Sequence, residues 1–352
     1  MNKEKLSISM PIIQNGTGAD SYFVRLARGL EHIGHDVSLH FYPRRYEASA
    51  RWLGLRYRCP EGTDIVHTRA EHGFALRTGN VPLVMTLFHS VFDPLLTPHK
   101  SLTQAAYHQL IKRGSIQRSL ERADAVVTAS EYSRQRIMMD FGQTNVTVIY
   151  AGVDETHFRV LDEHERTFRD TWDQRRFKLF YVGNAMKRKG TDLLAPIMRE
   201  LGDDFVLYYT SGLRGSEKGS GSGNMRCVGR LSDDEMVAAY NECDALLFPS
   251  RLEGFGYPVA EAMACGKPVV CTDSSSMPEL VVAGEGGRLC PVDDVDAFVR
   301  AVRELAGLSS AARTAMGERN RQRVLDRFTH DRFIRECDEF YRSLATGARR
   351  GP

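Results

Sequence analysis

Two glutamates, Glu253 and Glu261, lie in one short run of the chain. The run extends from Pro249 to Gly266 and reads PSRLEGFGYPVAEAMACG. Ionised carboxylates accept hydrogen bonds from hydroxyl groups, and glycines between them let a loop present backbone N–H groups to an anion. These residue types, in this order, predict a site for an anionic or hydroxylated ligand.

The sequence also indicates which elements hold the two glutamates. Residues 245–249, ALLFP, read as a buried strand that stops at a proline. Gly254 and Gly256 are expected to adopt positive φ in the loop that follows. Pro258 is typical of the first residue of a helix, whose positive end would face the same ligand. Glu261 would then lie in the first helical turn.

The complete run resembles the signature of the retaining, sugar-nucleotide-dependent glycosyltransferases of family 4, which have the GT-B fold. Residues 267–273, KPVVCTD, and 278–281, PELV, continue the similarity. The resemblance implies an α/β protein with two Rossmann-like domains whose parallel sheets face each other across a cleft. It also implies metal-independent transfer of a sugar to a hydroxyl acceptor, with retained anomeric configuration.

The alternation of elements favours the same architecture independently of the resemblance. Two series of six short apolar segments are separated by amphipathic segments, a pattern typical of parallel sheets covered by helices. The first series is 6–10, 37–41, 65–67, 83–87, 125–129 and 146–150, and the second is 177–182, 205–210, 225–228, 246–249, 269–272 and 287–289.

Domain boundaries are predicted from composition and from the resemblance. Residues 1–165 form an acceptor-side domain and residues 166–328 a nucleotide-sugar donor domain, because the charged segment 159–176 lacks a strand pattern. Residues 329–352 form a terminal helix that, by resemblance, crosses back to the first domain. The stretch 215–223, GSEKGSGSG, is predicted to be a mobile loop.

A basic loop follows the predicted strand 177–182 and resembles the second signature of the family. It reads GNAMKRKG, and its candidate donor-binding residues are Gly183, Asn184 and Arg188. Lys189 is predicted to stabilise the departing diphosphate, since a fixed cation beside a leaving anion lowers the barrier. Asn184 stands where the family usually has arginine, which leaves open whether another cation replaces that charge or the donor binds more weakly. A solvated basic turn is the alternative interpretation.

In the N-terminal half, Gly16 and Gly18 lie between the first strand and the first helix and resemble the family's glycine-rich loop. His89 follows the fourth predicted strand and matches the family position that faces the donor sugar. Glycines at any strand-to-helix turn and a structural histidine are the plainer interpretations. His67 ends another strand and is considered a weaker candidate.

The resemblance assigns the remaining roles. Glu261 would accept hydrogen bonds from the donor ribose, and Glu253 would contact the donor sugar. The other candidate donor-binding residues are Arg230, Gly254, Phe255, Gly256 and Tyr257. Because Glu253 and Lys189 lie on loops, their replacement by alanine is expected to abolish transfer with little loss of stability.

Other function classes and a metal site are compatible with parts of this pattern. A non-catalytic sugar-nucleotide-binding scaffold, and a GT-B phosphorylase or epimerase, would share these domains. Asp294 and Asp296 mimic a metal-binding triad of another glycosyltransferase fold, but capping of the helix they open explains them better. No metal and no cofactor are therefore expected, apart from a UDP- or GDP-sugar donor.

Composition limits the remaining choices. The chain has 352 residues, 42% hydrophobic residues and a net charge of +2, which suit two cores and give no sign of a nucleic-acid partner. Its seven cysteines and its apparent lack of a signal peptide predict a cytoplasmic protein. Residues 107–122 form a basic amphipathic stretch, interpreted as an ordinary surface helix rather than a membrane contact. The nucleotide, sugar, acceptor, linkage position and oligomeric state stay open; the transferred group is expected to be hexosyl or N-acetylhexosaminyl, and the acceptor a glycan, a lipid-linked glycan or a small natural product.

Overall fold

The structure is a computed structural model that describes residues 5–47, 50–76, 79–162, 165, 172–211 and 223–349. The chain divides into two compact units. Unit 1 comprises Met1–Gly152 and His330–Pro352, and unit 2 comprises Val153–Thr329. The passage between the units therefore comes earlier than the predicted boundary at 165, and the described part of segment 159–176 belongs to unit 2.

Unit 1 contains a six-stranded sheet with the order β2-β1-β3-β4-β5-β6, in which every pairing is parallel. Its strands are β1 (Ser7–Ile13), β2 (Asp36–Tyr42), β3 (Ile65–Arg69), β4 (Leu83–Thr86), β5 (Ala125–Thr128) and β6 (Val146–Val148). Its helices are α1 (Gly18–His32), α2 (Ala50–Arg56), α3 (Leu102–Tyr107), α4 (Arg113–Arg122), α5 (Glu131–Phe141) and α12 (His330–Arg349).

Unit 2 contains a second parallel sheet of six strands, with the order β12-β11-β10-β7-β8-β9. Its strands are β7 (Phe177–Tyr181), β8 (Phe205–Thr210), β9 (Met225–Gly229), β10 (Ala245–Phe248), β11 (Val269–Thr272) and β12 (Gly287–Cys290). Its helices are α6 (Thr191–Leu201), α7 (Asp233–Glu242), α8 (Tyr257–Ala264), α9 (Met277–Leu280), α10 (Val295–Gly307) and α11 (Ser310–Arg327).

The local sequence explains where these elements begin. β4, β5, β10 and β11 are buried along their whole length, which is why they read as unbroken apolar runs. Ser232 and Glu235 form a capping box at the start of α7. Asp294 accepts a hydrogen bond from the backbone N–H of Ala297 at 2.8 Å and caps α10, as the capping interpretation predicts.

All twelve predicted strands are present; two match the predicted ranges at both ends, and the ends of the others shift by at most three residues. Stretch 215–223 lies, apart from Gly223, outside the described residues. Ile33 is half exposed, because α1 ends at His32 and Gly34 turns the chain with φ +98°.

Helix α12 packs within unit 1, mainly against α1. The His67 ring bridges the Tyr341 hydroxyl at 2.5 Å and the Thr86 hydroxyl at 2.7 Å. Nε2 of His35 lies 2.9 Å from the Asp338 carboxylate. Phe333, Cys337 and Tyr341 of α12 are buried as well. The two hydrogen bonds of the His67 ring assign this residue to the core of unit 1. Among the residues that the structure describes, no helix combines the length and the apolarity needed to cross a bilayer.

Candidate active site

The strand order of unit 2 determines where its functional loops lie. β7, the first strand of the unit, pairs with β10 in the middle of the sheet. β8 and β9 follow on the side of β7, and β11 and β12 follow on the side of β10. Ligands of open α/β sheets bind at such a switch point, outside the carboxyl ends of the strands. The loop after β7 carries Lys189 and the loop after β10 carries Glu253, so the fold brings the two predicted residues together.

Lys189 and Glu253 form a buried ion pair. Nζ of Lys189 lies 2.6 Å from Oε1 of Glu253, and their side chains are 14% and 7% exposed. Ser250 donates a hydrogen bond to the same carboxylate oxygen at 2.6 Å, and Arg188 approaches Oε2 at 3.6 Å. The predicted sugar-binding carboxylate and the predicted diphosphate-binding cation are therefore direct partners.

The electrostatics of this cluster keep Glu253 ionised. Burial alone would raise its pKa, but the charges of Lys189 and Arg188, with hydrogen bonds from Lys189 and Ser250, hold the pKa at about 2. Burial lowers the pKa of Lys189, and the Glu253 carboxylate opposes that effect. Two cations thus surround one carboxylate, which leaves the cluster with an excess of positive charge.

The burial of this pair changes one expectation from the sequence. Glu253 and Lys189 do lie on loops, but their charged groups are enclosed rather than solvated. Removal of one partner from a buried ion pair costs about 3–5 kcal/mol, because the other charge is left uncompensated. The premise that both residues lie outside a core is therefore wrong, and we expect alanine substitution at either residue to destabilise the protein.

The start of α8 differs from the prediction in two details. The helix begins at Tyr257, so Pro258 is its second residue and Glu261 lies beyond the first turn. Gly256 precedes the helix with φ +101°, whereas Gly254 is absent from the glycines with positive φ in the described chain. The positive φ of Gly256 favours glycine, and a Cβ at this position would lie 2.4 Å from Cε of Met277, so the methionine side chain would have to move.

Glu261 is buried and is oriented by a tyrosine. The Tyr240 hydroxyl donates a hydrogen bond to Oε2 of Glu261 at 3.1 Å. Because Tyr240 lies on α7 and Glu261 on α8, this contact fixes the carboxylate relative to two neighbouring helices. A carboxylate held in this way loses little conformational entropy when it binds hydroxyl groups.

Two serines after β11 hold the glycine-containing loop and were not identified from the sequence. The Ser275 hydroxyl accepts a hydrogen bond from the backbone N–H of Glu253 at 3.0 Å. The Ser276 hydroxyl donates to the carbonyl oxygen of Phe255 at 2.8 Å. Ser275 has φ +53°, an uncommon conformation for a residue with a side chain. The signal available in the sequence was the run of three serines at 274–276.

Arg251 is a positioning residue that the sequence also left unassigned. It is buried and makes two hydrogen bonds to the Asp192 carboxylate, at 2.7 and 2.9 Å. It also donates to Asp293 at 2.6 Å and to the carbonyl oxygen of Lys187. One guanidinium thereby joins the basic loop, helix α6 and the loop before α10, which fixes the backbone on which Lys189 is placed.

The remaining candidates of unit 2 occupy the same carboxyl edge. The backbone N–H of Gly183 donates to the Thr210 hydroxyl at 3.3 Å, and a Cβ on Gly183 would lie 2.5 Å from the Tyr181 hydroxyl. Asn184 follows in the same loop, and Arg230 directly follows β9. The ring of Tyr257 contacts that of Phe255 at 5.3 Å. Their donor-binding roles stay predictions.

In unit 1, the glycine-rich loop is already bound to a carboxylate of the chain itself. Oδ2 of Asp20 accepts hydrogen bonds from the backbone N–H groups of Asn15, Gly16 and Thr17, at 2.9, 2.7 and 3.4 Å. Gly16 has φ +63°, and Gly18 is the first residue of α1. The predicted approach of a donor phosphate to these amides would therefore have to compete with Asp20.

The Asp20 carboxylate is itself part of a charged cluster at the switch point of unit 1. Nη1 of Arg69, at the end of β3, lies 3.9 Å from Oδ1 of Asp20. Arg69 also binds Glu71 at 2.7 Å, which holds the pKa of Glu71 well below its usual range despite burial. His89 follows β4 at the same edge and is partly buried, and its contact with a donor stays a prediction.

Two family models match successive parts of the chain. Residues 39–157 match the model described as Glycosyltransferase Family 4, and residues 162–323 match that of Glycosyl transferases group 1. An uncharacterized glycosyltransferase of Methanocaldococcus jannaschii is 24% identical over 85% of this chain and 81% of its own length. The O-antigen chain mannosyltransferase B of Escherichia coli is 29% identical, and the match spans about half of each protein, 52%.

Solved structures with the GT-B fold resemble the whole chain. Sucrose-phosphate synthase from Thermosynechococcus elongatus matches with a TM-score of 0.84 and 19% identity, over 97% of this chain and 100% of that one. Anabaena HepE in complex with UDP-glucose matches with a TM-score of 0.72 and 18% identity, over 96% and 99%. The fold, the two successive family matches and the signature residues together show that the chain belongs to the group 1 glycosyltransferases related to glycosyltransferase family 4.

Proposed function

We propose that this protein transfers a hexosyl group from a nucleoside-diphosphate sugar to a hydroxyl group of a glycan or a lipid-linked glycan, with retention of configuration. The observation that carries this proposal is the buried cluster of Lys189, Arg188 and Glu253 at the switch point of unit 2. Its excess positive charge suits a diphosphate, and its carboxylate suits a sugar.

Different residues would recognise the diphosphate charge and the ribose hydroxyl groups of the donor. Lys189 and Arg188 would contact the diphosphate, whose negative charge increases as the glycosidic bond breaks, and so would stabilise the transition state more than the ground state. Because two cations supply this charge, the proposal includes no metal ion and no cofactor. Glu261, oriented by Tyr240, would bind the ribose hydroxyls.

Glu253 would bind the donor sugar rather than attack it. With a pKa of about 2 it stays ionised at neutral pH and cannot donate a proton. Its contacts with Lys189 and Ser250 hold it as a hydrogen-bond acceptor, whereas a double-displacement reaction needs a carboxylate free to form a covalent intermediate. We therefore infer a front-face reaction in which an oxygen of the departing phosphate accepts the proton of the acceptor hydroxyl.

The choice of a hexosyl group rests on the relatives. Several of them bear the name mannosyltransferase, and HepE was solved in complex with UDP-glucose. None of these names identifies the donor of this chain, because the residues that distinguish donors lie on variable loops. UDP-glucose and GDP-mannose are the first donors to test.

The test is a thermal-shift screen against UDP, GDP and ADP and their sugar conjugates, each with and without EDTA. One nucleotide should raise the melting temperature above the others, since a ligand that binds only the folded state stabilises it. The shift should persist in EDTA and disappear in Arg188→Ala, while Lys187→Ala, a neighbouring exposed lysine, should retain it. Absence of any shift, with no sugar transferred to a panel of hydroxyl acceptors, would favour the non-catalytic scaffold.

A further inference from the structure

Unit 1 exposes large apolar side chains to an unusual degree. Trp52 and Leu55 on α2 are 65% and 66% exposed, and Leu102 and Leu110 are 90% and 83% exposed. Among the large hydrophobic residues of the described chain, only Met139 is also more than 60% exposed. A single exposed apolar residue needs no explanation, but one tryptophan and three leucines exposed in two short segments do.

The same two segments are strongly cationic. Residues 44–58 and 100–113 contain eight lysines and arginines and one acidic residue, Glu47. The cations are Arg44, Arg45, Arg51, Arg56, Arg58, Lys100, Lys112 and Arg113. Glu47 is bound to Lys112 at 2.9 Å, so the only acidic charge in these segments is already compensated.

The Lys112–Glu47 contact also shows that the two segments are neighbours. Glu47 belongs to a short 3-10 helix that contacts α2, and Lys112 ends the π-helical turn His108–Lys112 between α3 and α4. Leu110 lies in that turn, and Leu102 is the first residue of α3. We call these two segments the cationic apolar face.

Helix α2 is organised as a surface helix of two faces. Ala50 and Leu53 are buried, whereas Arg51, Trp52, Leu55 and Arg56 are all exposed. The spacing of three and four residues places the exposed Trp52, Leu55 and Arg56 side by side on the outer side of the helix. Tryptophan and leucine between arginines are the composition of a helix that lies in a membrane interface.

We propose that the cationic apolar face binds the surface of a lipid bilayer that contains anionic lipids. Its exposed apolar residues lie on a helix, at a helix start and in a turn, and exposed apolar side chains can insert between lipid head groups. The arginines would contact lipid phosphates while their methylene stems cover apolar surface. This proposal goes beyond sugar transfer and does not depend on it.

The face also lies where an acceptor carried by a membrane would be needed. The short helix of Glu47 begins two residues after β2 ends, so the chain enters this face from the carboxyl edge of the sheet. Gly16 and His89 lie at the same edge of unit 1. The sequence of residues 107–122 by itself favoured an ordinary surface helix. The exposed side chains of α2, a helix for which no prediction was made from the sequence, favour a membrane contact instead.

The experiment measures co-sedimentation of the full chain with vesicles, in the absence of a donor. Wild-type protein should bind vesicles of phosphatidylcholine mixed with phosphatidylglycerol, and not vesicles of phosphatidylcholine alone. Arg51→Gln with Arg56→Gln should weaken binding by about 25-fold, since each lost cation near an anionic surface costs roughly fivefold. Trp52→Ser with Leu110→Ser should weaken it by about tenfold or more.

Matched control variants make the test specific. Arg28→Gln with Arg300→Gln removes two exposed cations elsewhere, and Ile33→Ser removes a half-exposed apolar residue at the end of α1; both should bind like wild type. Equal melting temperatures would show that each variant is folded. Two results would overturn the proposal: no binding to anionic vesicles by the wild type, or unchanged binding after loss of Trp52 and Leu110 together with equally tight binding to heparin, which would indicate a general polyanion surface.

Discussion

The two units place charged clusters at equivalent points of two parallel sheets and use them differently. In unit 1 the glycine-rich loop after β1 binds the carboxylate of Asp20, which Arg69 accompanies at the end of β3. In unit 2 the loops after β7 and β10 place two cations around Glu253. One switch point has filled its anion site with its own side chain, and the other retains an excess of positive charge. The same βαβ geometry therefore does not by itself determine which unit receives a diphosphate.

The largest effect is expected when Lys189 is removed from unit 2. Lys189→Ala should reduce kcat by about 10²–10³, as loss of one preorganised transition-state contact does. It should also destabilise unit 2 by about 3–5 kcal/mol, because Glu253 is left buried without its partner. Urea denaturation and initial rates of transfer measure the two effects. Lys187→Ala is the control, and normal turnover by Lys189→Ala would contradict the proposed role.

Acid is expected to weaken unit 1 before unit 2. Burial holds the pKa of His67 at about 3 and that of His72 at about 4, while histidine in an unfolded chain titrates near 6.5. The unfolded state therefore binds more protons below pH 6.5, and stability should fall by about 1.4 kcal/mol per pH unit for each histidine as pH decreases toward 4. The stabilisation from ionised Glu253 persists above about pH 4.5 and is lost only as pH falls toward 2.

The two tryptophans of the chain allow this order to be measured. Trp172 is buried in unit 2, where it stacks on Tyr208 at 3.9 Å, and Trp52 is exposed in unit 1. In Trp52→Phe the fluorescence reports unit 2 alone, so acidification should reduce the circular dichroism signal before the fluorescence changes. Because His67 and His72 contribute equally, His72→Gln should reduce the pH dependence of the free energy of unfolding of unit 1 by about half. If the circular dichroism and the fluorescence change together over the same pH range, the prediction that unit 1 unfolds before unit 2 is wrong.

A smaller effect is expected at the start of α8. Gly256→Ala should cost about 1–3 kcal/mol, because φ +101° is strained for alanine and the new Cβ would contact Met277. It should also weaken nucleotide binding, since the helix start would move. Gly142→Ala, at φ +66° with open space around its Cβ position, should cost less and leave nucleotide affinity unchanged. Calorimetry and nucleotide titration distinguish the two variants.

The smallest effect is expected when the Asp20 carboxylate, which binds the glycine-rich loop of unit 1, is replaced. Asp20→Ala should cost about 1–2 kcal/mol through loss of a helix-capping carboxylate, and Asp20→Asn should cost less because it keeps an acceptor oxygen. Nucleotide affinity, measured by titration, should not change in either variant. A gain in nucleotide affinity after the loss of Asp20 would contradict this prediction, because it would show that the donor phosphate competes with the carboxylate for the Gly16 loop.

The sequence predicted the fold closely because parallel strands buried on both faces leave a strong apolar pattern. It also placed Glu253 and Lys189 at strand ends, where their approach follows from the sheet order. Their direct ion pair was not predictable, since 64 residues separate them and only the packed loops set the distance. The role of Asp20 could have been found, because an acidic residue three positions after Thr17 is a capping-box signal. Arg251 left no such signal, since its partners lie on helix α6 and on loops that are distant in sequence.

The C-terminal helix α12 has a consequence for the order in which the protein forms during synthesis. Unit 1 is discontinuous in sequence, so the ribosome must make all of unit 2 before residues 330–349 exist. Until then His67 lacks the Tyr341 hydroxyl and His35 lacks the Asp338 carboxylate. Unit 2 consists of one continuous segment and has no such requirement. The nascent chain should therefore complete the half with the cationic cluster first, while the half synthesised earliest waits as an unfinished core that chaperones can recognise.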